Sequence, residues 1–356
     1  MLRFRKVRAD RGGVHFEGNI EDGYRACLEL RTPMRVLLEM ARFEAEDEAS
    51  LYDGVRAVEW EEHASPKTEL AVRASARSSN LTHTQYIAQK TKDAIVDRLR
   101  ERFGQRPDVD LADPDILVSV HLAKNLATIY LDLAGSPLFM RGYRTEHHGA
   151  PLKETLAASM LYLVGWPRDR TDFVDPMCGS GTIAIEAALL ADARAPGSLT
   201  QHPFGFERWA SYSDERRAAY QRLRQLAEER YQQAKQSPRP SIVGFDIDSG
   251  AVEVARANAK RAGVHIRFDR RDVRDLVLYE PATIVTNPPY GERMTMSPED
   301  WRKAVKALMA VPDARIGLLL GHPDMLDAIR ARPEKVITLM NGDIECGFAM
   351  FDRRGR

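Results

Sequence analysis

The chain of 356 residues is short of several things, and each shortage excludes a class of protein. It has no excess of either charge: Lys+Arg and Asp+Glu both total 52. A polycation that coats nucleic acid or membrane is thereby excluded, and any polyanion site must be a local patch. Cysteine is scarce, with Cys27, Cys178 and Cys346 isolated from one another. Three such residues build no disulfide framework, and no Cys/His spacing suits zinc, so no metal is expected. No apolar run approaches the ~18 residues that span a bilayer. The N-terminal Met1-Leu2-Arg3-Phe4-Arg5-Lys6 lacks the apolar core of a signal peptide. A cytoplasmic protein with no membrane partner is the expectation. Gly and Pro, at 23 and 19, are too few for a collagen-like or low-complexity chain.

What remains is 44% hydrophobic and long enough for more than one core. Residues 1 to about 145 read as short strands among helices. Gly13–Glu17, Glu69–Ser75, Ile116–Leu122 and Ala127–Leu133 are strand candidates, rich in β-branched or aromatic residues. Ile20–Glu29 and Gln85–Arg102 read as helices, the second with apolar residues near a 3.6 period. From about 170 the pattern becomes strict βαβα alternation. Strands are expected at Thr171–Asp175, Ser241–Asp246, His265–Phe268, Thr283–Asn287 and Arg315–Leu320, with helices between them. A final pair, Lys335–Met340 and Gly347–Asp352, flanks Asn341-Gly342-Asp343 and suits antiparallel pairing. The expected fold is α/β: a doubly wound, Rossmann-like sheet with an antiparallel last strand, preceded by an α+β region. Residues 196–241 read as a helical insertion. Its helix Asp214–Lys235, with Arg239 beyond, carries more basic than acidic residues. A solvated helix face or an RNA-facing one would both suit that composition.

Three elements sit at successive strand ends, where ligands bind such sheets. The first is Asp175-Pro176-Met177-Cys178-Gly179-Ser180-Gly181-Thr182, a glycine turn opening a helix. Its glycines let backbone approach a ligand, and helix amides face whatever sits there. It has neither the six-residue dinucleotide fingerprint nor a P-loop Lys-Ser/Thr. The second is Asp246-Ile247, whose acid can accept from both ribose hydroxyls. The third is Asp272-Val273, whose acid can accept from an adenine amino group; either acid alone would also serve as a helix cap. Together they define a nucleoside cofactor site of Asp175, Pro176, Cys178, Gly179, Gly181, Thr182, Asp246, Ile247, Asp272 and Val273.

The most specific element is Asn287-Pro288-Pro289-Tyr290 after the fourth strand, followed by Gly291-Glu292-Arg293. At average residue frequencies an Asn-Pro-Pro-aromatic match arises by chance in about one chain in 300. The residues suit methylation of an exocyclic amine, whose lone pair is delocalised into the base. The Asn287 side-chain oxygen and the Pro288 carbonyl can both accept from that amine and aim its lone pair. The prolines fix φ and remove donors, and Tyr290 can stack on the base.

From Lys153-Glu154-Thr155-Leu156-Ala157 through these motifs, the chain resembles the THUMP-containing class I RNA methyltransferases. It is most similar to the N-terminal, guanine-N2-methylating half of the bifunctional large-subunit ribosomal RNA enzymes. Upstream, Gly13-Val14-His15-Phe16-Glu17-Gly18, Gln85-Tyr86 with Lys90 and Lys92, and Arg141-Gly142-Tyr143-Arg144 carry the likeness. The resemblance implies S-adenosyl-L-methionine as cofactor, RNA as partner, and N2 of a 23S guanosine as acceptor. It implies a partial ferredoxin-like domain at 1–50, a THUMP domain at 51–145 and the methyltransferase at 146–356. The family usually has a further strand and helix ahead of the Gly-Val-His-Phe strand, so either a misassigned start codon or a real truncation is expected. Region 51–145 balances 13 Lys/Arg against 13 Asp/Glu. RNA contacts are therefore expected on one face bearing Arg73, Arg77, Lys90, Lys92, Arg141 and Arg144. Alternatives that keep the motif are tRNA guanine N2, DNA adenine N6 or a protein glutamine amide. A non-catalytic RNA-binding or assembly protein with a relict pocket is the alternative of another class.

Overall fold

The computed structural model describes all residues except 1–2, 11, 145–151, 169–170, 279, 291–295 and 355–356. The expected motif residues Gly291, Glu292 and Arg293, and the 145/146 boundary, lie outside the described residues. The chain forms two compact units: Met1–Leu138 with Gln201–Leu226, and Phe139–Thr200 with Ala227–Arg356.

The first unit opens with a hairpin of β1 (Arg5–Asp10) and β2 (Gly13–Glu17). Phe4 stacks on Phe16 at 4.2 Å, and Arg25 of α1 (Ile20–Glu29) lies 5.0 Å over Phe4. A five-stranded sheet follows, built from β3 (Leu37–Glu44), β4 (Glu69–Arg77), β5 (Asp108–Val109), β6 (Ile116–Ala123) and β7 (Leu126–Asp132). Its order is β3-β7-β6-β4-β5. β4 and β6 pair in parallel, which requires a crossover, and α3 (Thr84–Phe103) supplies it. α3 buries Ile87, Ala94, Ile95 and Leu99 on one face of the sheet beside α2 (Glu48–Arg56). The alternation of β4 and β6 leaves Arg73, Ser75, Arg77 and His121 on the other face.

The insertion contributes to this unit through its aromatic residues. Phe206 stacks on Tyr24 at 4.0 Å, and Tyr212 and Tyr220 meet it edge-on. A Cβ on Gly205 would come within 2.8 Å of the Asp132 carbonyl, so the chain passes there only as glycine. The long helix α6 (Asp214–Lys235) continues from this unit into the second, the cut falling after Leu226.

The second unit holds a seven-stranded sheet of β8 (Asp172–Asp175), β9 (Ile242–Asp246), β10 (Arg267–Arg270), β11 (Ala282–Thr286), β12 (Arg315–Leu320), β13 (Lys335–Asn341) and β14 (Ile344–Asp352). The order is β10-β9-β8-β11-β12-β14-β13, with β14 antiparallel to both neighbours and the rest parallel. This is the expected doubly wound sheet, with the last strand in sequence, β14, antiparallel and inserted between β12 and the edge strand β13. Successive strand residues face opposite layers: Phe173 packs in one cluster and Val174 in the other, as do Val285 and Ile284. One layer holds α4 (Glu154–Val164), α5 (Thr182–Ala191) and α7 (Ser249–Ala262); the other holds α8 (Pro298–Ala310) and the short α9 (Pro323–Asp327). The strand order reverses between β8 and β11, which creates a crevice at their carboxyl ends.

Candidate active site

The crevice begins with the glycine turn. Gly179 and Gly181 have φ of +51° and +82°, values that side-chain-bearing residues rarely adopt. A Cβ on Gly181 would press on Ala255 and Phe268 at 3.0 Å, so this glycine lets α5 pack on α7 and β10. A Cβ on Gly179 would meet nothing within 4 Å. Its bare backbone therefore borders open space, as a cradle for a ligand requires. The turn is fastened from behind by buried Asn258, whose Nδ2 donates to the Ser180 carbonyl at 3.0 Å. Cys178 and Thr182 are buried, and burial pushes the Cys178 thiol far up. Pro176 lies buried in the same turn.

Asp175 ends β8 fully buried. Its Oδ1 accepts from the Thr286 hydroxyl at 2.8 Å, across the β8–β11 pair, and its Oδ2 has no hydrogen-bond partner. Desolvation pushes its carboxyl up to about 7, only partly offset by the Thr286 hydrogen bond. A buried acceptor without a donor costs roughly 1–3 kcal/mol, so the arrangement suits a ligand that brings an N–H. Asp246, at the end of β9, accepts from the Gly179 amide at 2.8 Å and the Asp248 amide at 3.0 Å. These bonds fix its carboxylate beside the open turn. Ile247 stands next to it with 57% of its surface exposed, an apolar shelf at the same edge.

Asp272 is bound differently. It caps a short 3-10 turn through the Arg274 amide at 2.9 Å, and the Arg274 guanidinium engages both of its oxygens. That pairing holds its carboxyl below the usual range. Val273 is buried in the core at 4% exposure. Capping thus accounts for much of what the pair does.

Asn287-Pro288-Pro289-Tyr290 leaves β11 beside the glycine turn. The Asn287 Oδ1 is buried and has no partner. Pro288 is buried and Pro289 half-buried. The Tyr290 ring lies against Gly321 at the end of β12, where a Cβ would come within 2.2 Å of it. Its hydroxyl accepts from Asn341 Nδ2 at 2.6 Å and lies 3.5 Å from Cys346 Sγ. Burial moves that phenol up. The β13–β14 hairpin therefore fixes the tyrosine. Gly321, Asn341, Cys346 and Thr286 carry no motif signal; only strand pairing brings them to the site.

The six basic residues expected on one RNA-facing surface are not brought together. Arg73 and Arg77 are exposed on the open face of the first unit's sheet. Lys90 and Lys92 sit on α3, in the helical layer that covers the opposite face. Lys90 lies 5.2 Å over the Tyr52 ring, and Lys92 pairs with Asp93 at 2.7 Å. Arg141 and Arg144 belong to the second unit, where Arg141 is buried and Arg144 half-buried. Arg141 pairs with buried Glu186, and Arg144 bonds Glu154 and the Leu152 carbonyl at 2.9 Å. Cations desolvated between carboxylates hold an interior together and present nothing to a polyanion. Among the described residues no group of three His, Cys, Asp or Glu is arranged to hold a metal ion, and no helix is long and apolar enough to cross a membrane.

Comparison with known proteins agrees with this geometry. Residues 141–349 match an RMKL-like methyltransferase domain, 45–132 a THUMP domain, and 1–37 an RlmL ferredoxin-like domain. A relative from Syntrophotalea carbinolica, named ribosomal RNA large subunit methyltransferase K/L, is 40% identical over 98% of this chain and 50% of its own length. The chain spans about half the length of the curated relatives it matches. Among solved structures, SMU.472, described as a methyltransferase in complex with SAH, has a TM-score of 0.85 at 30% identity, covering 98% of this chain and 92% of that one. A Listeria monocytogenes protein described as an N6-adenine-specific DNA methylase has a TM-score of 0.85 at 28% identity, covering 97% and 89%. With a methyltransferase model matched over more than half its length, on a sheet whose strand ends carry the motifs described above, the chain belongs to the RMKL-like methyltransferase family, joined to a THUMP domain.

Proposed function

We propose that this protein transfers a methyl group from S-adenosylmethionine to the exocyclic N2 of a guanosine in large-subunit ribosomal RNA. The observation that carries the reading is the buried, unpartnered Asn287 Oδ1 beside the glycine turn. The cofactor supplies the methyl group as an electrophile on a sulfonium. Residues of the glycine turn, with Asp175, Asp246 and Ile247, would hold it: open backbone at Gly179, an orphaned carboxylate oxygen at Asp175 and a fixed carboxylate at Asp246 suit its amino and ribose groups. Asn287 Oδ1 and the Pro288 carbonyl accept from the target amine and draw it from planar towards pyramidal geometry. They also meet the positive charge that develops on it. Pro289 stiffens the turn, and Tyr290, fixed by Asn341 and Gly321, offers a ring to the base. Catalysis then comes from orientation and preorganised acceptors. A base inside a helix cannot reach such an edge, so the target guanosine is in a loop or is flipped out.

Three variants test the division of labour. Asp246→Ala removes the acceptor beside Gly179, and S-adenosylmethionine binding should weaken by about 1–3 kcal/mol. An unchanged dissociation constant by calorimetry removes Asp246 from the site. Arg73→Ala with Arg77→Ala should weaken binding to ribosomal RNA and flatten its salt dependence, since phosphate contacts release counterions. Lys90→Ala with Lys92→Ala should do less, because those lysines lie on the covered side of the sheet. The opposite ranking in a salt titration would move the RNA to the helical layer. The acceptor itself is tested by incubating the protein with S-adenosylmethionine and unmodified ribosomal RNA, then digesting to nucleosides. N2-methylguanosine is expected; N6-methyladenosine would reassign the acceptor.

A further inference from the structure

The second unit carries a groove of about 720 Å3 at the end of the sheet opposite the catalytic crevice. It lies between the start of β9, the start of β10 and the C-terminal end of α7. The walls bring Arg239, Arg256, Lys260, His265 and Arg267 together, with no acid among the lining residues. Four cations and a histidine gather here, with Asp192 paired to Arg239 and Asp269 beside Arg256 and Arg267. Lys260 is exposed, and Arg256 and Arg267 leave 56% and 64% of their side chains in solvent. Neighbouring groups hold three of the five in place. Asp192 takes Arg239 through both oxygens at 2.9 and 3.0 Å, Arg256 donates to the Phe268 carbonyl at 3.1 Å, and Asp269 pairs with Arg267 at 3.0 Å. Favourable placement at a helix C-terminus explains Lys260. It does not explain cations converging from the starts of two strands.

We propose that this groove is a second RNA-backbone site, which takes phosphates of the substrate away from the target base. The inference rests on the reading above that the substrate is RNA. β9 runs from Ile242 at the groove to Asp246 at the crevice. Four residue steps of ~3.3 Å separate the two by about 13 Å. A structured RNA whose target base is drawn into the crevice has neighbouring phosphates at that distance. Cations that meet phosphates fix the position of the RNA rather than read its sequence.

The test is the double variant Lys260→Glu with Arg267→Glu in the full chain. Its affinity for a large-subunit ribosomal RNA fragment should fall tenfold or more. The slope of log K against log salt should become shallower by roughly 1.4–1.8, about 0.7–0.9 for each phosphate no longer neutralised. S-adenosylmethionine affinity and melting temperature should match the parent, which shows that the fold survives. Lys260→Arg with Arg267→Lys keeps the charges and should restore RNA affinity. A folded double-Glu variant with parental affinity and slope overturns the groove, whatever the parent methylates. A parent that binds RNA through the groove yet makes no methylguanosine contradicts the acceptor reading alone. A parent that binds no RNA overturns both.

Discussion

Replacing Asn287 by alanine should lower the rate of methyl transfer by at least about 100-fold, the scale expected when one preorganised group is removed from a developing charge. The effect should fall on kcat. Asn287 Oδ1 is a buried acceptor without a donor, and on the proposed function its bond forms with the reacting amine. Affinities for S-adenosylmethionine and for RNA should stay within about twofold, because the cofactor acids and the exposed arginines are untouched. Alanine also removes an unsatisfied buried oxygen, so the variant should be no less stable. Single-turnover kinetics at saturating RNA separate the cases. A rate within tenfold of the parent means that the Pro288 carbonyl alone orients the amine.

Asp175 should contribute a loss of stability as pH rises from about 4 to about 8, against an opposing slope from His63, whose imidazole burial pushes down to about 4. Burial without a cationic partner lifts its carboxyl to about 7 from an ordinary 3.8. A group whose pKa is raised on folding contributes its full stability below the unfolded value. That contribution is lost as pH rises through the folded value. The displacement corresponds to about 4 kcal/mol, at ~1.36 kcal/mol per pH unit. Glu154, also raised by burial to about 7, adds a slope of the same sign. Asp175→Asn should therefore remove a large part of the pH dependence of the unfolding midpoint without abolishing it. A variant that keeps the parental slope across that range shows that Asp175 is ionised in the folded protein at neutral pH.

Most of the second unit is legible in the sequence because its strands are buried on both faces and read as apolar runs between helices. β12 falls at the expected residues, and α7 is one of the helices expected between the strands. β10 does not: the apolar His265–Phe268 run suggests an earlier start, but pairing with β9 places the strand at Arg267–Arg270. As the sheet's edge it buries only Phe268 well and can carry arginines on either side. In the first unit β3 is illegible, because Glu39, Arg42 and Glu44 interrupt a strand that is nowhere fully buried. The motifs locate the site, since chemistry at strand ends is local in sequence. Its supports are not local. Thr286 under Asp175, Gly321 under the Tyr290 ring and Asn341 on its hydroxyl come from strands paired across the sheet. The same limit explains the scattered cations. Charge in a sequence says nothing of which arginines are exposed, and Arg141 and Arg144 are spent on buried carboxylates.

On the proposed function, Asn287 presents an acceptor to the N2 amine of a ribosomal guanosine. The most direct test is mass spectrometry of ribosomal RNA fragments from a strain lacking the gene, complemented with either the parent or Asn287→Ala. A single methyl on one guanosine, placed on N2 by fragmentation, is expected to be present with the parent and absent with the variant. That methyl persisting with Asn287→Ala, or the loss falling on an adenosine or on tRNA, would contradict that reading.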